Sequence, residues 1–188
     1  MNNVSLQFWT GQFGKEYTNR NQGFDYVKEW DEMMKKCEAS TILEIGCNRG
    51  MNLEALRSLG YRVSGVEPSE YARSQAKPSL VIVNGTAQDL PFEDKKFDLV
   101  FTAGVLIHIP FEDLPKTFQE MDRVSKKYIL FCEYFAEEEE MVKYRGYDDQ
   151  LWKRNYKKLF MDRYPNYKLI SEGEMPTMDN STYWLFEK

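Results

Sequence analysis

One histidine, His108, stands in a chain of 188 residues, which argues against a histidine-based metal centre. Cysteine is nearly as scarce: Cys37, Cys47 and Cys132 show no metal-ligand spacing and read as reduced thiols that pack as small apolar groups. No run of ~18 apolar residues occurs, and residues 1–10 lack a basic segment followed by an apolar one. Neither a membrane span nor a secretory leader is expected, and the expected location is cytoplasmic. Basic residues fall short of acidic ones, 25 Lys+Arg against 30 Asp+Glu, and the net charge of −5 repels a polyphosphate backbone. The expected partner is a small molecule and not nucleic acid. Internal repeats and low-complexity linkers are missing as well.

What remains is the composition of a folded protein, 42% hydrophobic, 29% charged and 15% aromatic. A chain of this length buries roughly 70% of its unfolded surface, enough for one self-sufficient domain spanning 1–188, as a monomer or a homodimer. Along it, short apolar runs at 41–46, 61–67, 80–83, 97–101 and 128–132 alternate with helical patterns. Leu53, Leu56 and Leu59 step at helical intervals up to Gly60, and Asp113 and Pro115 open a helix carrying Leu114, Phe118 and Met121. Runs at 168–170 and 183–186 suit a closing antiparallel pair. This alternation predicts an α/β fold, a mostly parallel sheet with helices on both faces.

Two segments fall outside the alternation. Residues 1–22 form an aromatic arm with Phe8, Trp9, Phe13 and Tyr17, and residues 134–164 are an insertion between the fifth and sixth strands. Both are candidate lids. Glu137 to Glu140 at the start of the insertion and Lys153, Arg154, Lys157 and Lys158 near its end read as a solvated helix with opposite charges at its ends.

The stretch Glu44-Ile45-Gly46-Cys47-Asn48-Arg49-Gly50 joins a strand to a helix, the place where open α/β sheets bind ligands against exposed backbone N–H groups. Glu67 ends the next strand, 67 − 46 = 21 residues after the first glycine, where an acidic side chain takes the hydroxyls of a ribose. A nucleoside-containing ligand follows. The G-x-G-x-x-G pattern of nicotinamide-dependent oxidoreductases is absent, Leu53 standing where a further glycine would be needed. The Pro-Pro-aromatic signature of amino-methylating DNA enzymes is absent too, the chain reading Thr102-Ala103-Gly104-Val105.

The loop instead resembles motif I of the class I S-adenosylmethionine-dependent methyltransferases, E-x-G-x-G-x-G. Asn48 replaces the middle glycine, a residue that tolerates left-handed backbone. Asn84-Gly85-Thr86-Ala87-Gln88-Asp89 resembles the family's adenine loop, with Thr86 where Asp is usual. Residues 97–102 resemble motif IV and 104–109 the segment after it. The arm at 8–21, the loop at 46–53 and Tyr144-Arg145-Gly146 look like the pseudaminic acid biosynthesis-associated methylases, which implies a sugar or small-metabolite acceptor.

The resemblance implies a seven-stranded Rossmann-like sheet with the last strand antiparallel, and S-adenosylmethionine as cofactor, leaving as S-adenosylhomocysteine. It implies cofactor contacts from Glu44, Gly46, Cys47, Asn48, Gly50, Asn52 and Leu53, then Glu67 and Pro68, then Thr86, Ala87 and Gln88, and Thr102, Ala103 and Gly104. Tyr17 or Arg20 would hold the cofactor carboxylate, Arg by a bidentate contact. Tyr144, Arg145 and Tyr147 in the insertion are candidate acceptor contacts. His108 follows the fourth strand, and its unperturbed pKa near ~6.5 suits a general base; a histidine satisfied within the core is the alternative. The expected function is methylation of a small polar acceptor on O or N. The rivals are a non-catalytic S-adenosylmethionine-binding regulatory domain and a nicotinamide-dependent oxidoreductase.

Overall fold

A computed structural model describes residues 3–23 and 25–188; Met1 and Asn2 of the expected arm lie outside the described residues. Strands β1 (Thr41–Ile45), β2 (Arg62–Val66), β3 (Ile82–Val83), β4 (Phe97–Ala103) and β5 (Ser125–Glu133) pair in parallel. A separate ribbon of β6 (Glu140–Met141) and β7 (Trp152–Lys153) lies in the insertion, and β8 (Lys168–Met175) and β9 (Ser181–Glu187) close the main sheet. The order is β3-β2-β1-β4-β5-β9-β8, with β9 antiparallel to both neighbours. This is the seven-stranded, mostly parallel sheet that the alternation and the resemblance imply.

Helices α1 (Asn3–Thr10) and α2 (Gln12–Arg20) make the arm; α3 (Val27–Met34), α4 (Met51–Ser58), α5 (Glu70–Ser74), α6 (Leu114–Val124) and α7 (Tyr156–Arg163) follow. Alternate strand residues feed two cores. Leu43, Ile45, Val100, Ile129 and Phe131 pack with Phe118 of α6 and Phe160 of α7 on one face. Ile42, Leu99, Phe101 and Leu130 pack with Trp30 of α3 and Leu56 of α4 on the other. β1 is buried on both faces because helices cover both sides of the sheet there, which is why its run is continuously apolar apart from Glu44. Truncating a side chain such as Phe118, 2% exposed, to alanine would cost ~3–5 kcal/mol.

The insertion departs from the expected solvated helix. Residues 137–140 belong to no helix, and α7 begins only at Tyr156, where the Asn155 side chain accepts from the Lys158 amide at 3.0 Å. Arg154 is 2% exposed and bonds Glu139 at 2.5 Å, so the opposite charges pair across the ribbon and fold the segment back on itself. The third strand is shorter than the apolar run at 80–83, Leu80 lying in a turn and Val81 59% exposed. At the other edge, β8 turns Lys168, Ile170, Glu172 and Glu174 to solvent.

Candidate active site

The loop after β1 takes its shape from three left-handed residues, Gly46 at φ 69°, Asn48 at φ 51° and Gly50 at φ 83°. A Cβ on Gly46 would stand 2.7 Å from a methyl of Val105, so only glycine fits there. Asn48 adopts the left-handed backbone for which asparagine is suited. Its amide donates to one oxygen of Glu67 at 2.9 Å, and the Ser69 amide donates to the other at 2.8 Å. Burial pushes the Glu67 carboxyl up, and these N–H groups together with Arg73 oppose the shift. Each oxygen keeps a second lone pair for a hydroxyl donor.

Glu44 enters the same cavity from the middle of β1. Asn52, on the first turn of α4, donates to one of its oxygens at 2.7 Å and accepts the Trp30 indole N–H at 3.0 Å. The second Glu44 oxygen is buried with no partner. Desolvation raises this carboxyl to about 8, the Asn52 bond opposing. A cation beside that oxygen would restore the charged form.

At the far end, a single turn at Leu106–His108 follows β4 and carries the histidine into the cavity wall. His108 Nδ1 lies 2.5 Å from the Gln150 carbonyl, and Trp9 and Tyr144 pack on the ring with centroids at 4.4 and 5.2 Å. A carbonyl only accepts, so Nδ1 carries the proton and Nε2 keeps its lone pair. Burial lowers the imidazole to about 4, against the Gln150 bond, so the ring is neutral at pH 7. That value corrects the sequence reading, which took the group as near its ordinary range.

The cavity between these ends holds about 640 Å³. Tyr17, Glu44, Gly46, Cys47, Asn48 and Asn52 line it, as do Glu67, Pro68, Thr86, Ala87, Ala103 and Gly104, and His108, Tyr144 and Arg145 border its other side. Six expected residues are placed otherwise. Gly50 caps α4 and Leu53 is fully buried behind the loop, Gln88 turns away to donate to Thr117 at 2.9 Å, and Thr102 is fully buried. Arg20 is exposed and stacks on Phe13 at 5.6 Å, which leaves Tyr17 as the member of that pair at the cavity. Tyr147, 50% exposed, sets its ring against Phe8 and Phe13 and so ties the arm to the insertion.

The structure adds residues that the sequence reading left out. Trp9 and Tyr134 line the cavity, as does the turn 176–180 with Ser181, and the Tyr134 hydroxyl donates to Asp179. Trp9 belongs to the aromatic arm already singled out, a signal that pointed to it. The turn carried none, since only the antiparallel closure of β8 on β9 brings it there. Among the described residues, no three His, Cys, Asp or Glu side chains group as a metal ion requires.

The donors and acceptors on the wall fit an adenosyl sulfonium cofactor. Glu67 suits a ribose, and the unpartnered Glu44 oxygen suits a positive charge. The orphaned Asn48 Oδ1 and Trp9 Nε1 leave an acceptor and a donor for a ligand.

Comparison with known proteins agrees. Residues 43–131 match the model of a family described as a methyltransferase domain. An uncharacterized methyltransferase of Synechocystis is 33% identical over 94 residues, covering 48% of this chain and 44% of that protein. The chain spans less than half the length of the curated relatives it matches. The PH0226 protein of Pyrococcus horikoshii superposes with a TM-score of 0.67 at 20% identity, over 97% of this chain and 95% of that one. The 1,6-didemethyltoxoflavin-N1-methyltransferase of Burkholderia thailandensis, solved with its acceptor and S-adenosylhomocysteine, gives 0.73 at 11% identity, over 98% and 87%. The fold is that of the class I methyltransferases. No described helix is long and apolar enough to cross a membrane.

Proposed function

We propose that this chain is an S-adenosylmethionine-dependent methyltransferase that methylates a small polar acceptor, a sugar, nucleotide sugar or related metabolite, on an oxygen atom. The observation that carries the reading is the pair of carboxylates around one glycine loop, within a segment that matches the methyltransferase domain. In this reading Glu67, bonded to the loop amide of Asn48, takes the ribose hydroxyls, and the unpartnered oxygen of Glu44 faces the cation. The resemblance of the arm, the loop and Tyr144-Arg145-Gly146 to the pseudaminic acid biosynthesis-associated methylases supports the sugar-like acceptor. Action in the cytoplasm, alone or as a homodimer, goes with the same reading.

When bound, S-adenosylmethionine supplies an activated methyl group on sulfur, so the protein has to align the acceptor, exclude water and manage one proton. Trp9, Tyr17 and Tyr144 wall the cavity around His108. His108 Nε2 holds an available lone pair at neutral pH. A hydroxyl becomes a strong acid as its oxygen is alkylated, and a base as weak as this imidazole accepts that proton late in transfer. A neutral amine needs no proton removed for transfer, so a base held beside the acceptor goes with a hydroxyl.

The test is a screen of tritiated-methyl transfer into free sugars, sugar nucleotides, amino acids and cell extract. Label released as volatile methyl iodide by hydriodic acid and stable to base marks a methyl ether, the expected product. Binding of S-adenosylmethionine with no transfer into any pool would leave a cofactor-binding domain without turnover. Failure to bind it would end the reading.

A further inference from the structure

Two buried ionisable residues have no part in the proposed chemistry, and both grip the same turn. Glu133 ends β5 with no exposed surface, and its two oxygens accept the Val105 amide at 3.1 Å and the Ile107 amide at 3.3 Å. Arg154 reaches the same turn from the insertion side. Its Nη1 donates to the Ile109 carbonyl at 2.8 Å, its Nε donates to Glu139 at 2.5 Å, and its guanidinium stacks over Trp152 at 5.0 Å. Gln150, whose carbonyl meets the His108 ring, lies four residues before Arg154 on the same short stretch.

We infer that Glu133 and Arg154 are positioning residues that clamp the turn carrying His108 from its amide and carbonyl sides, so that the insertion orients the ring as well as covering the acceptor. The inference rests on the proposed role of His108. A buried carboxylate and a buried guanidinium are each costly unless bonded, and here every bond each makes into the turn also fixes the backbone on either side of the histidine. Arg154 holds the stretch around β7 that presents Gln150, and the Gln150 carbonyl selects the proton on Nδ1. Tyr144 and Trp9 are the rings packed on the imidazole, so Glu133 and Arg154 act on it through backbone and not by contact.

Because the chain has one histidine, selective 15N-histidine labelling reports His108 alone. The wild type should show a single neutral tautomer, protonated on Nδ1, that titrates well below pH 6.5. Arg154→Met should give mixed tautomers and an upward titration, with Arg154→Lys restoring part of the wild-type pattern. Glu139→Ala, which removes the exposed partner of Arg154, should shift the same signals less. Calorimetric binding of S-adenosylhomocysteine identifies variants that remain folded. Methyl transfer into a small-molecule extract should fall about 10²-fold in Arg154→Met without change in cofactor affinity. A folded Arg154→Met with wild-type tautomer and titration overturns the clamp; if that variant does not fold, the same result in Glu139→Ala and Arg154→Lys does. The nitrogen signals need no turnover, so loss of the proposed activity and loss of the clamp are read separately.

Discussion

The side-chain amide of Asn52 donates to Glu44 at 2.7 Å while its oxygen accepts from Trp30, and this relay decides which Glu44 oxygen is left for the cavity. A carboxyl held at about 8, against ~4.3 in an unfolded chain, stabilises the fold fully below the unfolded value. That contribution is lost as pH rises through about 8. A cation in the cavity favours the ionised form, so S-adenosylmethionine binding at pH 7 should release a proton and tighten toward pH 8. Calorimetry in two buffers of different ionisation enthalpy measures the release. Glu44→Gln should abolish it, and no release in the wild type would mean that Glu44 does not face the cofactor.

Glu67 bonds the Asn48 and Ser69 amides, and in the proposed role its remaining lone pairs take the hydroxyls of a ribose. Glu67→Ala should weaken S-adenosylmethionine by ~1–3 kcal/mol, the range for a hydrogen bond to a charged group. NAD should not bind, and comparable NAD affinity by calorimetry would overturn the cofactor assignment.

His108→Asn should cut kcat by ~10²–10⁴-fold with cofactor affinity preserved. The acid limb of the wild-type pH–rate profile should lie near pH 4 and vanish in the variant, because burial has moved the imidazole there. A drop below ~10-fold with the limb intact would make the histidine structural.

Removing residues 1–21 takes away Trp9 and Tyr17 from the cavity wall while leaving every strand in place. The truncated chain should remain folded by circular dichroism and lose most of its cofactor affinity. Normal binding would give the arm another role.

Arg145 stands at the cavity with a left-handed backbone, φ 50°, and its guanidinium near the Tyr144 ring at 6.0 Å. Arg145→Ala should raise the acceptor KM and leave cofactor binding nearly unchanged. Lost cofactor binding with an unchanged acceptor KM would move Arg145 to the cofactor site.

The strands along the chain and the glycine loop with Glu67 were legible in the sequence because each is a local signal. A continuous apolar run marks a strand buried on two faces, and the glycine loop and Glu67 sit at fixed distances from such runs. The acceptor half was less so. The ribbon of β6 and β7 depends on Glu139 meeting Arg154 fifteen residues on, and the periodic charges there read equally well as a helix. Arg20 was misplaced because it lies one turn along α2 from Tyr17, on nearly the same face, yet its guanidinium is exposed and reaches over the Phe13 ring and not into the cavity. The depressed titration of His108 follows from burial, which a residue flanked by isoleucines hints at without measuring.

The sheet ends in two unlike borders. β3 offers only two residues of free backbone, too short a template for another chain to pair with. β8 is eight residues long and would be adhesive, but Lys168, Glu172 and Glu174 put charges along its solvent side. Ile170, 40% exposed, is the gap in that guard. The outer border, far from the chemistry, is therefore where resistance to fibril-like self-association is decided.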